Sequence, residues 1–109
     1  MRRLVISLAS AAMVACGLSG ARAEEPDIAH GKALVETNCA KCHAYQHDDV
    51  SPNPAAPPFR DLSKRYPVDA LQEAFAEGIV TGHEEMPEFE ATPRQIADII
   101  AYLASIQPK

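Results

Sequence analysis

The sequence has no internal repeat, no low-complexity tract, no Gly-rich loop of the kind that cradles phosphate, and no stretch where apolar and polar residues alternate. These absences exclude a stacked-repeat protein, a nucleotide-binding strand–loop–helix unit and a sheet with one wet face. Basic residues are few, 10 Lys and Arg against 15 Asp and Glu, which argues against nucleic acid as a partner. Cysteine and methionine number only 3 each. A single charge-free apolar run exists, Leu4 to Leu18, and it is too short to persist as a membrane span.

That run is better understood as part of an export signal. Met1-Arg2-Arg3 supplies a positive start, and Ala21-Arg22-Ala23 places small residues where a leader peptidase reads them. Cleavage is expected after Ala23, with residues 1–23 as leader and 24–109 as one exported, periplasmic domain. The minor alternative is a lipoprotein cut before Cys16, because Met13-Val14-Ala15-Cys16 loosely resembles a lipobox. Removing the first 23 of 109 residues leaves 86, too few for a generous apolar core. A domain of that size calls for a covalent or cofactor staple. It keeps two cysteines, Cys39 and Cys42, and one methionine, Met86. It also loses three arginines, so 7 basic residues face 15 acidic ones and the net charge is about −8.

The mature chain reads as all-α, with three main helices and long loops. The first is expected over Glu24 to Asn38, with Ile28, Gly31, Leu34 and Val35 at helical spacing. Pro52, Pro54, Pro57 and Pro58 make Ala44 to Pro58 an ordered, irregular loop. A second helix is expected from Pro67, with Leu71, Ala74 and Phe75 as its stripe and Gly78 as its end. Ile79 to Ala91 reads as loop. For the last helix Thr92 caps, Pro93 takes the first turn and Gln95 completes a capping box. Ile96, Ile99, Ile100, Leu103 and Ile106 line one face, and Pro108 stops it.

Cys39-Ala40-Lys41-Cys42-His43 matches the attachment signature for c-type haem. Two intervening residues put both sulfurs on one turn, and the adjacent imidazole then falls beneath the porphyrin they hold. An iron that exchanges electrons without binding substrate needs a second axial ligand, and Met86 is the one mature thioether, in the loop Met86-Pro87-Glu88-Phe89. The alternative for a lone methionine is core filling. His83 is the rival ligand, since it lies three residues before Met86. His30 reads as a surface residue and His47 has no partner at metal-site spacing, so a zinc site is weak.

From Pro26 to Gln107 the chain resembles the class I c-type cytochromes. Gly31 and Val35 match first-helix positions that in that family pack on the last helix, where Ile99-Ile100-Ala101-Tyr102-Leu103 resembles the other half of the crossing. Ala56-Pro57-Pro58-Phe59 resembles the family's Gly-Pro-x-Leu segment, with alanine where glycine is usual. The resemblance implies that the Pro57 carbonyl accepts a hydrogen bond from His43, that Phe59 packs on the haem wall, and that Met86 is the distal ligand.

The function implied is one-electron transfer through one haem c, with redox donor and acceptor proteins as partners, and the acidic surface suits a partner with a basic docking patch. The protein would be a monomeric shuttle or the haem subunit of a larger periplasmic oxidoreductase. A CxxC thiol–disulfide protein is the distant alternative, and a five-coordinate gas binder or peroxidase would require a mobile Met86. Glu84, Glu85, Glu88 and Glu90 read first as solvation, and as a secondary hypothesis they lower the reduction potential.

Overall fold

A computed structural model describes residues 10–17, 24–78 and 86–109, and among these the chain forms helices and no strand. The fold is all-α. Helix α1 spans Ile28–Asn38, α2 Leu71–Glu77 and α3 Pro93–Ser105, with two short 3-10 helices, Phe59–Lys64 and Val68–Ala70, between α1 and α2.

The first helix starts four residues later than the sequence pattern implies. The Asp27 backbone is extended, its carboxylate accepts the His30 N–H at 3.0 Å, and its own N–H is diverted to Asp98 Oδ1 at 2.8 Å. Asp27 is therefore the N-cap, and Glu24 to Pro26 lie outside the helix. Ile28, assigned to the apolar stripe, is 49% exposed, whereas Gly31 and Val35 are buried and Leu34 is half-buried.

α1 crosses α3 at Gly31. A Cβ at that position would stand 1.9 Å from the Asp98 carbonyl oxygen, so only a residue without a side chain permits this approach. Around the crossing Val35, Ile99 and Leu103 are almost wholly buried. Phe59, Leu62, Val68, Phe75, Ile96, Tyr102 and Ile106 complete the core.

Pro67 does not open a helix. Its backbone is extended, and it precedes the 3-10 turn Val68–Ala70, which leads into α2. Gly78 then ends α2 with φ +79°, a conformation that glycine adopts without strain. Residues 79–85 of the expected loop lie outside the described residues, and 86–91 carry no regular structure. α3 has the cap read from its sequence: Gln95 N donates to Thr92 Oγ1 at 3.2 Å, and Thr92 N donates to Gln95 Oε1 at 2.9 Å. It ends at Ser105, ahead of Pro108, and Gln107 Nε2 donates to the Leu103 carbonyl at 2.8 Å.

Candidate functional site

α1 delivers the cysteine motif at its C-terminal end. The Cys39 N–H closes the last turn on the Val35 carbonyl at 2.8 Å, and the Cys39 carbonyl then accepts from Cys42 N at 3.2 Å and His43 N at 3.0 Å. Those two bonds wind Cys39 to His43 into one turn. Both thiols and the imidazole are half-buried, and the cysteines are not joined to each other.

The Pro-rich loop is laced onto this turn. Asn53 N donates to the Cys42 carbonyl at 3.1 Å, Ala44 N to the buried Ser51 Oγ at 2.9 Å, and Phe59 N to the Ala44 carbonyl at 2.9 Å. The Asp49 carboxylate accepts Tyr45 N at 2.9 Å and Gln46 N at 3.0 Å, while Arg60 Nη1 donates to the Asp49 carbonyl at 2.7 Å. From α3 the Tyr102 hydroxyl donates to the Tyr45 carbonyl. Sequence reasoning gave Asp49, Ser51, Arg60 and Tyr102 no part in holding this loop. The available signal was an Asp, a Ser and an Asn among prolines, since such side chains bond to nearby backbone.

His43 Nδ1 stands 2.8 Å from the Pro57 carbonyl oxygen. A carbonyl can only accept, so Nδ1 carries the proton and donates, and the lone pair of the neutral ring is on Nε2. The Phe59 ring stacks on the imidazole, with centroids 4.5 Å apart and planes inclined at 23°. Ala56 supports this path without strain, because among the described residues no residue other than glycine has positive φ.

Burial pushes the Cys39 thiol up to about 11. A disulfide-exchange nucleophile needs the opposite, a thiolate favoured by a helix N-terminus or a nearby cation. Cys39 instead caps the C-terminal end of α1, where the helix dipole disfavours negative charge. Cys39 is therefore a poor exchange nucleophile. Among the described residues no three His, Cys, Asp or Glu side chains converge as a metal cage. The two cysteines of this turn and the ring nitrogen left free at His43 would hold a porphyrin attached through sulfur, which would supply a redox-active metal centre.

Met86 is half-buried and Pro87 exposed. Three residues on, Phe89 packs edge-to-face on Phe75 of α2, with centroids 6.2 Å apart, and Glu88 Oε1 lies 3.0 Å from where a Cβ on Gly78 would stand. The methionine thus sits beside an anchored segment. His83, Glu84 and Glu85 lie outside the described residues, Glu88 and Glu90 are exposed, and His47 is exposed.

His30 has a partner that its place on α1 does not reveal. Its ring is 46% exposed, yet Nδ1 lies 2.6 Å from Oδ2 of Asp98, a wholly buried carboxylate on α3. Arg94 Nε approaches Asp98 Oδ1 at 3.2 Å, and Arg94 Nη1 reaches Glu24 at 2.8 Å.

Known proteins resemble this chain over most of its length. Cytochrome c-552 of Bradyrhizobium diazoefficiens is 28% identical over 96 residues, covering 88% of this chain and 90% of the relative. A cytochrome c-553-like protein of Synechocystis sp. is 31% identical over 81 residues, covering 73% of this chain and 70% of the relative. No solved structure matches at comparable significance. The cytochrome c family profile matches residues 28–107, from the first residue of α1 to just past α3. The chain therefore belongs to the cytochrome c family, whose members carry covalently bound haem.

Proposed function

We propose that this protein is an exported, periplasmic one-electron carrier, with haem c bonded to Cys39 and Cys42 and its iron held between His43 and Met86. The observation that carries the reading is the His43 geometry. With Nδ1 committed to the Pro57 carbonyl at 2.8 Å, Nε2 is the ring's available donor, and the thiols that would fix a porphyrin lie on the same turn. When bound, the haem supplies a metal centre that accepts and returns one electron, at a potential that a thioether ligand raises. The protein's own work is to hold the imidazole and to offer Met86 from beside the segment anchored through Phe89, which packs with half-buried Tyr45, Leu71 and Ile100 against the core.

Export is supported by the leader-like residues 1–23. No helix among the described residues is long and apolar enough to cross a membrane.

The test is a redox titration of the purified, haem-loaded protein beside Met86→Ala and His83→Ala variants. A reversible one-electron wave is expected. The methionine-to-iron absorption and the high potential should be lost only in Met86→Ala. An unchanged spectrum in that variant refutes the thioether ligand.

A further inference from the structure

Two contacts restrain the His43 ring from different directions. The Pro57 carbonyl meets its edge, 2.8 Å from Nδ1. Phe59 lies over its face, with centroids 4.5 Å apart and planes 23° from parallel. The hydrogen bond restrains the ring through one atom at its edge, and small rocking of the ring plane strains it only gradually. A flat side chain against the face removes the rocking.

Phe59 is itself pinned. It is 8% exposed, its N–H donates to the carbonyl of Ala44, the residue after His43, at 2.9 Å, and its carbonyl accepts from Gln107 Nε2 at 2.6 Å. Gln107 is fully engaged, since Nε2 also donates to Leu103 and Oε1 accepts Ser63 N at 2.9 Å. The stacked ring is therefore held from the motif on one side and from the end of α3 on the other. An aliphatic side chain would fill the same volume, but it would present no plane to the imidazole.

From this geometry we infer that Phe59 is a positioning residue for the axial imidazole, fixing the rotation of the His43 ring about the bond that Nε2 makes to the haem iron. The inference rests on the reading of His43 as ligand and adds a role that wall packing does not include. The plane of an axial imidazole decides which of the iron's two π-type d orbitals it raises. The order and spread of the haem-methyl proton resonances in the ferric protein report that plane directly.

The experiment is proton NMR and redox titration of ferric, haem-loaded wild type, Phe59→Leu, Phe59→Tyr and Gln107→Leu. Phe59→Leu should reorder or compress the haem-methyl pattern and move the potential, and Phe59→Tyr, which keeps the stacked ring, should retain the wild-type order. Gln107→Leu frees the Phe59 carbonyl without touching the ring and should shift the pattern in the same direction as Phe59→Leu. A wild-type pattern in Phe59→Leu overturns the inference. If that variant does not load haem, an unchanged pattern in Gln107→Leu overturns it instead. A wild-type spectrum without the low-spin, histidine-ligated signature is a separate result: it refutes the His43 assignment before any variant is made, and the inference with it.

Discussion

At the scale of single residues the least expected feature is Asp98, a carboxylate with no exposed surface at the crossing of two helices. The hydrogen bond to His30 does most to hold its carboxyl below the usual carboxylate range. The Asp27 N–H and Arg94 act in the same direction, against a burial effect that pushes it up. A carboxyl depressed in this way contributes stability above its unfolded value of about 4 and loses it as pH falls through the lower folded value. Urea unfolding of the haem-loaded protein from pH 7 down to pH 3 should therefore show an acid limb that is shallower in Asp98→Asn, with the variant less stable than wild type at pH 7. Parallel acid limbs would contradict the assignment. The sequence did not disclose this residue, because its partner His30 is 68 positions away and an Asp within an amphipathic helix reads as solvent-facing. The CxxCH turn was legible for the converse reason, since its chemistry is local and its donors are adjacent. Pro57 and Phe59 were legible only through family resemblance, and the ring stacking was not legible at all.

At the scale of elements, capping and close approach decide where the helices stand. Thr92→Ala removes one half of the α3 capping box and should cost about 1 kcal/mol, read as a lowered urea midpoint. Gly31→Ala gains about 1 kcal/mol of helix propensity but places a methyl 1.9 Å from a backbone oxygen. α1 and α3 must then separate, so a net loss of about 1–3 kcal/mol is expected. A neutral or stabilised Gly31→Ala protein would show that the crossing is not as tight as described. α3 was readable because an apolar stripe, a cap, a Pro in the first turn and a capping glutamine all agree. The start of α1 was misplaced because Asp27 was passed over as a cap, although its carboxylate takes the His30 N–H only three residues on. The 3-10 helix Phe59–Lys64 passed unnoticed because six residues at three per turn do not establish a period.

At the scale of the molecule, ten buried apolar side chains form the core among the described residues, and the motif and Pro-rich loop hang on that core by hydrogen bonds. The described core is small and the motif lies in loop outside it, so attachment and folding are expected to be coupled. A Cys39→Ala/Cys42→Ala chain should show much weaker far-ultraviolet helical circular dichroism than the haem-loaded protein, and full helicity in that variant would contradict the coupling. The central claim is the covalent bond between this chain and one haem, and intact mass under denaturing conditions tests it most directly. Protein purified after export from a host competent in cytochrome c maturation should weigh as the polypeptide plus one haem that resists acid extraction. The mass of the polypeptide alone, with Cys39 and Cys42 free or bonded to each other, would contradict the account.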